Sequence, residues 1–378
     1  MNKRLMQFLR CPACLGILKV ITYESVVSTR EISAGLLACA CGANYPIWRG
    51  VPRMLMPGSR MLPEDYLHQF QSRLYVDAPQ LLSEAKNQKA TRGYSFDVQW
   101  SMYEYGELTW ELDLSTRVKY AYEYLRTAPG SLHGTLMLDA GCGNGTLAAG
   151  LAASGPEVVG MDYSESVERA EREKARFAGE AAERVHYVQG DVQHPPFAPA
   201  TFDVIYSDGV LHHTPNTFES FKALAPLVSP GGRFFVWLYR SDLAPIYNVK
   251  MRTAKCLQVL LRPLPLSALK TLCFAGAAIL LVRLRILHLL GNRKRRIVPL
   301  RLKAVNLFDT LTPRYYHLHT PGEVEGWFST LGFPGPIETS ISALSHGGFG
   351  ILGRREARPQ AAASAPTASF QTALDAPR

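Results

Sequence analysis

The feature that most constrains this chain is a regular alternation of two hydrophobic periods between residues 116 and 239. "TRVKYAYEYLRTA" has helical spacing, "TLMLDA" reads as a buried strand, and a helix is expected from Gly145 to about Ser154. "EVVGMD" is again a strand, "ESVERAEREKARFAGEA" a charged amphipathic helix, and "VHYVQGD" and "FDVIYSD" are strands. "NTFESFKALAPLV" follows as a helix, and "GGRFFVWLY" as a strand launched by the turn at Pro230, Gly231 and Gly232. Strands and helices alternating at this spacing require a parallel sheet covered on both faces. After residue 303 the pattern resumes, with "TPGEVEGWFSTLGF" as a helix and "GPIETSISAL" and "GGFGILGRR" as a closing hairpin. Such a sheet binds ligands at the carboxyl ends of its strands, where strand order reverses.

One strand end stands out. "LMLDAGCGNGTL" runs from Leu136 into Asp139 and then Gly141, Gly143 and Gly145. Glycines let a backbone turn with positive φ and approach a ligand closely. A phosphate loop would need a following Lys, and none is present. A dinucleotide loop would have its third glycine at position 146, where Thr146 stands. The remaining reading is a nucleoside cofactor without phosphates, because a carboxylate at Asp139 repels pyrophosphate but engages an ammonium group. Asp162 ends the second strand, 23 residues after Asp139, where an acid can accept from both ribose hydroxyls. Asp191 ends the third, where it can accept from an exocyclic amine.

In order and spacing, "LMLDAGCGNGTLA", "VVGMDYS", "YVQGDVQHPPF", "FDVIYSDGVLHH" and "LVSPGGRFFVWLY" resemble the motifs of class I S-adenosylmethionine-dependent methyltransferases, most closely the type 11 group with the ubiquinone-biosynthesis-like enzymes. The resemblance implies an α/β, Rossmann-like, seven-stranded and mostly parallel sheet with a reversed last strand and helices on both faces. It also implies S-adenosyl-L-methionine across the glycine loop: Asp139 and Gly141 at the methionine part, Asp162 at the ribose, Asp191 with Val192 at the adenine, and Ser207 and Asp208 bordering the methyl. Cys142, Gly143, Asn144 and Gly145 of the loop, and Tyr163, complete the expected cofactor-binding set. A sulfonium methyl is already activated, so in-line positioning supplies much of the rate. A base is needed only where the acceptor loses a proton. "SDGVLHH" offers His213, and after it His212, as catalytic candidates, the alternative being that either packs or orients the loop.

The seven cysteines include Cys11, Cys14, Cys39 and Cys41 near the N-terminus. Two close pairs can place four thiolates around one structural zinc. "CPACLGILKV" and "LLACACGANYPIWRGVPRML" resemble the zinc-ribbon modules that precede some bacterial methyltransferases, and the small activator proteins of tRNA and protein methyltransferases. The second pair departs from that pattern, with only Ala40 between its cysteines. An odd cysteine count and no signal-peptide pattern suggest a reducing, cytoplasmic setting. The expected organisation is a zinc-ribbon-like module over 1–58, an irregular or helical linker over 59–115, a methyltransferase domain over 116–239 and 304–356, a basic helical insertion over 240–303, and a disordered tail over 357–378.

Charge concentrates in the insertion. The chain carries +9, yet residues 240–303 hold fourteen Lys and Arg against Asp242 alone, leaving 27 bases and 31 acids elsewhere. The uncharged run Thr271–Val282 is too short to span a bilayer, which needs roughly 20 residues. Arg283 and Arg285 then break the run, apolar residues continue, and "RKRR" follows at 293–296. A helical lid over the acceptor pocket, a subunit contact, a peripheral membrane contact through 266–296 at the inner membrane face, and an RNA-binding arm are the open readings. Scarce aromatics within the segment weigh against RNA. The expected acceptor is a small molecule, or one linked to lipid or glycan. The rivals are an RNA methyltransferase using ribbon and basic arm, and a non-catalytic cofactor-binding partner subunit.

Overall fold

The computed structural model describes residues 1–29, 31–60, 62–87, 95–103, 108–242, 253, 256–292, 297–335, 337–340 and 347–357. The basic run 293–296 and the tail from 358, expected to be disordered, lie outside the described residues.

The alternating segment folds as its periods dictate. Strands β5 (Leu136–Ala140), β6 (Glu157–Asp162) and β7 (Val185–Gln189) are buried almost throughout, as continuous apolar runs must be when helices cover both faces. With β8 (Phe202–Asp208), β9 (Val228–Tyr239), β10 (Glu338–Ser340) and β11 (Gly348–Arg354) they form a seven-stranded sheet ordered β10-β11-β9-β8-β5-β6-β7. The pairings among β5 to β9 are parallel, whereas β11 runs antiparallel to β9 and to β10. Strand order reverses beside β5, which lies between β6 and β8, so the ligand crevice opens at the carboxyl ends of β5 and β8. Helix α5 (Leu114–Tyr124) starts where the Asp113 carboxylate accepts from the Thr116 N–H at 2.8 Å. The sheet's other helices are α6 (Thr146–Ala153), α7 (Ser166–Ala178), α8 (Thr217–Leu224) and α11 (Pro321–Thr330).

Residues before the sheet build a second, antiparallel one from β1 (Leu18–Ser25), β2 (Ile32–Cys39), β3 (Asn44–Trp48) and β4 (Val51–Pro52). Helices α1 (Glu64–Gln69), α2 (Gln71–Asp77) and α3 (Pro79–Asn87) pack Tyr66, Phe70, Leu74 and Leu81 against its Tyr23, Leu36 and Trp48. The small sheet is fused to the large one. Arg53 pairs with Gln189 of β7, the Met54 N–H donates to the Gln189 carbonyl at 2.7 Å, and the Arg10 N–H to the Pro196 carbonyl at 2.8 Å. Leu9, Tyr45, Ile47 and Met54 share one core with Val159, Met161, Val188 and Phe197.

The insertion supplies α9 (Leu266–Leu289), and α10 (Leu300–Leu311) starts at its end and runs past the expected boundary at 303; the two pack together and, with α4 (Ser95–Met102), share one apolar core. The uncharged run expected to be too short to cross a bilayer lies inside a helix of 24 residues. Arg283 and Arg285 interrupt the apolar run, but arginine is a good helix former and the helix continues through both. By length and composition alone, α9 is long and apolar enough to cross a membrane.

Arg53 ties the two sheets. It is 2% exposed, donates from Nη1 to Gln189 Oε1 at 2.9 Å and pairs with Glu168 of α7. Arg53→Ala is expected to cost about 3 kcal/mol, the low end for breaking a buried pair because Glu168 keeps some contact with water. Chemical denaturation should show a lower midpoint with an unchanged slope.

Candidate active site

The loop after β5 is held by backbone conformation and by one carboxylate. Gly141, Gly143 and Gly145 have φ of 90°, 56° and 72°, the left-handed region where side chains are strained. At Gly141 a Cβ would lie 2.2 Å from Val210 Cγ2, and at Gly143 2.2 Å from Trp100 Cζ2. Asp162, at the end of β6, accepts the Gly143 N–H at Oδ2 (2.8 Å) and the Ser164 N–H (2.8 Å) and hydroxyl (2.5 Å) at Oδ1. Burial pushes the Asp162 carboxyl above its ordinary value, and these donors pull against that.

Four further charged groups surround the loop. Asp139 is 4% exposed, and its Oδ2 has no hydrogen-bond partner. Burial raises its carboxyl to about 7; the Arg117 guanidinium opposes the shift, and Asp208 and Asp162 reinforce it. Arg117, from α5, donates to Thr146 Oγ1 at 3.0 Å and lies over the Trp110 ring. Asp208 accepts from the Tyr206 hydroxyl at 3.0 Å. Asp191 is engaged locally, accepting from the Gln193 N–H at 2.9 Å and lying 3.2 Å from His194 Nδ1.

Arg117, Asp162, Asp191 and Asp208 face a cavity of about 2490 Å³ bounded by the glycine loop on one side and by α4, α9 and α10 on the other, whereas Asp139 lies buried behind its wall. Gly141, Asp162, Tyr163, Asp191, Val192, Asp208 and His213 line it. Several expected residues do not. Ser207 is fully buried and donates to the Ala140 carbonyl at 2.9 Å, tying β8 to β5. Cys142 packs beneath the loop, and Asn144 accepts from the Thr146 hydroxyl at 2.9 Å. Gly143 is covered by Trp100, and Gly145 closes against Ala170 and Tyr187. His212, expected at the cavity mouth, is instead fully buried, with neither ring nitrogen partnered and its centroid 4.3 Å from that of Tyr239. The short 3-10 turn Leu211–His213 points consecutive side chains in different directions, so only His213 reaches the cavity.

His213 has a defined tautomer. Its Nδ1 lies 3.0 Å from the Tyr315 carbonyl, which can only accept, so Nδ1 carries the proton and Nε2 keeps its lone pair. Burial lowers its pKa to about 4, leaving the ring neutral at ordinary pH. The insertion side adds residues that sequence reasoning missed. Gln99 of α4 and Asn306 of α10 line the cavity, Asn306 with a buried Oδ1 that has no partner and Gln99 beside Asp309, whose carboxyl burial raises to about 6 against the pull of Gln99.

Away from this cavity, the sulfurs of Cys11, Cys14, Cys39 and Cys41 lie within 4.8 Å of one another, with Cys11–Cys41 at 3.7 Å and Cys14–Cys39 at 3.5 Å. Four thiolates about 2.3 Å from a central zinc would be roughly 3.8 Å apart. Gly16 fits this packing, since a Cβ there would lie 3.1 Å from the Cys14 sulfur and 3.3 Å from that of Cys39.

Residues 138–236, about a quarter of the chain, match the family model described as a methyltransferase domain. A ubiquinone biosynthesis O-methyltransferase of Aliivibrio fischeri (strain MJ11) is 34% identical over 113 residues, covering 30% of this chain and 47% of that protein. A demethylmenaquinone methyltransferase of Lactococcus lactis subsp. lactis is 33% identical over 122 residues, 32% of this chain and 48% of that protein. The chain thus spans about half the length of the curated relatives it matches. Among solved structures, magnesium protoporphyrin IX methyltransferase of Synechocystis PCC 6803 aligns at 17% identity over 68% of this chain and 93% of that one, with a TM-score of 0.41. The matched segment contains the glycine loop and most of the parallel part of the sheet, and over it the chain is similar to a methyltransferase domain.

Proposed function

We propose that this chain transfers a methyl group from S-adenosylmethionine to a small-molecule acceptor. The observation that carries the reading is Asp139 Oδ2, buried without a partner beside a glycine loop that excludes side chains. A buried acceptor without a donor is costly unless a ligand supplies one. The donor that fits a carboxylate here is an ammonium such as the methionine part carries; a phosphate would be repelled. Asp162 keeps one acceptor site, on Oδ2, for a ribose hydroxyl while its other three contacts fix the loop and the turn into α7. Val192 and Asp191 line the cavity where a base would lie, and Asp208 the region nearer the acceptor. The cofactor contributes a methyl already activated on a positively charged sulfur.

The acceptor side is read from the cavity walls. Trp110, Trp237, Tyr239, Leu266 and Leu269 suit an apolar or aromatic body, and Gln99 and Asn306 suit a polar head. The two relatives, whose names refer to ubiquinone biosynthesis and demethylmenaquinone, support an acceptor of this kind. His213 offers Nε2 as the site that receives a proton from an acceptor hydroxyl or acidic carbon. We further propose one structural zinc on Cys11, Cys14, Cys39 and Cys41, and a cytoplasmic setting, which suits four unpaired thiols.

Asp139 is largely protonated below about pH 7 and must lose that proton to meet an ammonium. The affinity for S-adenosylhomocysteine, read by calorimetry, should therefore fall about tenfold per pH unit below that value. Asp139→Asn should weaken binding and abolish the pH dependence. Binding of NADH in place of S-adenosylhomocysteine would refute the cofactor reading.

His213→Ala should lower kcat by about 10²–10⁴ with the affinity for S-adenosylhomocysteine unchanged. Because burial holds the imidazole neutral down to about 4, the acid limb of the wild-type rate profile should lie near that value instead of near 6.5. An unaltered kcat would assign His213 to packing alone.

Elemental analysis of protein purified without chelator should find about one zinc per chain, and Cys14→Ser should lower it. Metal-free protein of full stability would return the four thiols to simple packing.

A further inference from the structure

Helix α9 is apolar on two opposite faces, and the fold covers only one. Leu266, Leu269, Cys273, Ala277 and Leu281 are buried in the core shared with α10 and α4. On the other side Leu272, Ala275, Ile279, Val282, Ile286 and Leu289 recur at alternating steps of three and four residues and are exposed, from 50% at Leu272 to 87% at Leu289. At ~1.5 Å per residue this stripe is about 26 Å long. Eleven of the eighteen exposed large hydrophobic residues among the described residues fall between 257 and 300. The basic excess of the chain falls in the same segment. Spacing at 3.6 residues per turn puts Arg283 and Arg285 on opposite shoulders of the stripe.

We propose that this face docks on an anionic lipid bilayer, with α9 lying in the headgroup layer. Charge decides between a bilayer and a second copy of the chain. A stripe with this spacing also suits a helix pair, but such a pair needs complementary charges flanking the seam. Two copies would bring arginine against arginine, and residues 243–303 contain no acid to oppose them. Anionic headgroups meet the arginines, whose apolar stems lie along the stripe while the guanidinium groups reach outward. Insertion across the bilayer is disfavoured, because the covered face of α9 would have to leave α10 and α4. Leu280 and Leu284 of the same helix line the cavity. The docked surface and the cavity are therefore separated by about one helix diameter, roughly 10 Å, which places a bilayer-dissolved molecule next to the proposed acceptor site.

The test is co-sedimentation of the full chain with vesicles of phosphatidylcholine alone or mixed with phosphatidylglycerol. Strong binding is expected only to the anionic vesicles. Ile279→Glu combined with Ile286→Glu, and separately Arg283→Glu combined with Arg285→Glu, should each weaken binding at least about tenfold. These side chains lie outside the core, so circular dichroism melting should match the wild type. The proposal is overturned if the wild type ignores anionic vesicles or if the stripe variant binds as well as the wild type. It is equally overturned if light scattering without lipid shows a wild-type dimer that the stripe variant dissociates.

Discussion

The site depends on the carboxylate of Asp162. It sits where β6 ends and accepts from the backbone of the loop that follows β5, so it locks two neighbouring strand ends into one register. It also accepts from Ser164 and thereby fixes the turn that starts α7. With the loop immobilised, the left-handed glycines can bring bare backbone to the cavity wall, and Asp139 is held beneath it without a donor. Without that latch, a flexible glycine loop would find other partners for its N–H groups, and the crevice would lose its floor.

The buried aspartates near the loop and the exposed arginines of α9 occupy different depths. Asp97, Asp162, Asp208 and Asp309, whose carboxyls burial shifts upward, line the cavity, with Asp139 buried behind the loop and Arg117, Arg262, Lys303 and Arg314 in the same wall. Among the described residues of the insertion, Arg283 and Arg285 lie exposed on α9, outside that wall. The buried carboxyls suit a cation, while the exposed arginines of α9 suit an anionic surface. One net charge for the chain conceals both tendencies.

The sheet and the glycine loop were legible because their signals are local. Buried strands announce themselves as short apolar runs, and Asp139, Asp162 and Asp191 fall at or just beyond the ends of three of them. The roof was not legible, because it is assembled across long sequence separations. Arg117 occupies an ordinary position in an amphipathic pattern and reads as solvated, yet it projects into the cavity. Trp100 and Trp110 lie among aromatics with no clean period, and only the fold turns them toward the loop. His212 and His213 are indistinguishable as adjacent letters; a single 3-10 turn buries one and presents the other. The length of α9 was masked by two arginines that interrupt hydrophobicity without interrupting helix.

The backbone contacts between Arg53, Met54 and Gln189 carry a consequence for how this protein fails. β7 is the outermost strand of the large sheet, and the four-cysteine module covers part of its free side. A bare edge strand is a template for pairing with any other extended chain. Loss of the small sheet's hold on β7 therefore does more than unfold a small appendage. It uncovers strand edge on the main domain, so a lesion in the small sheet would emerge as self-association of the whole molecule.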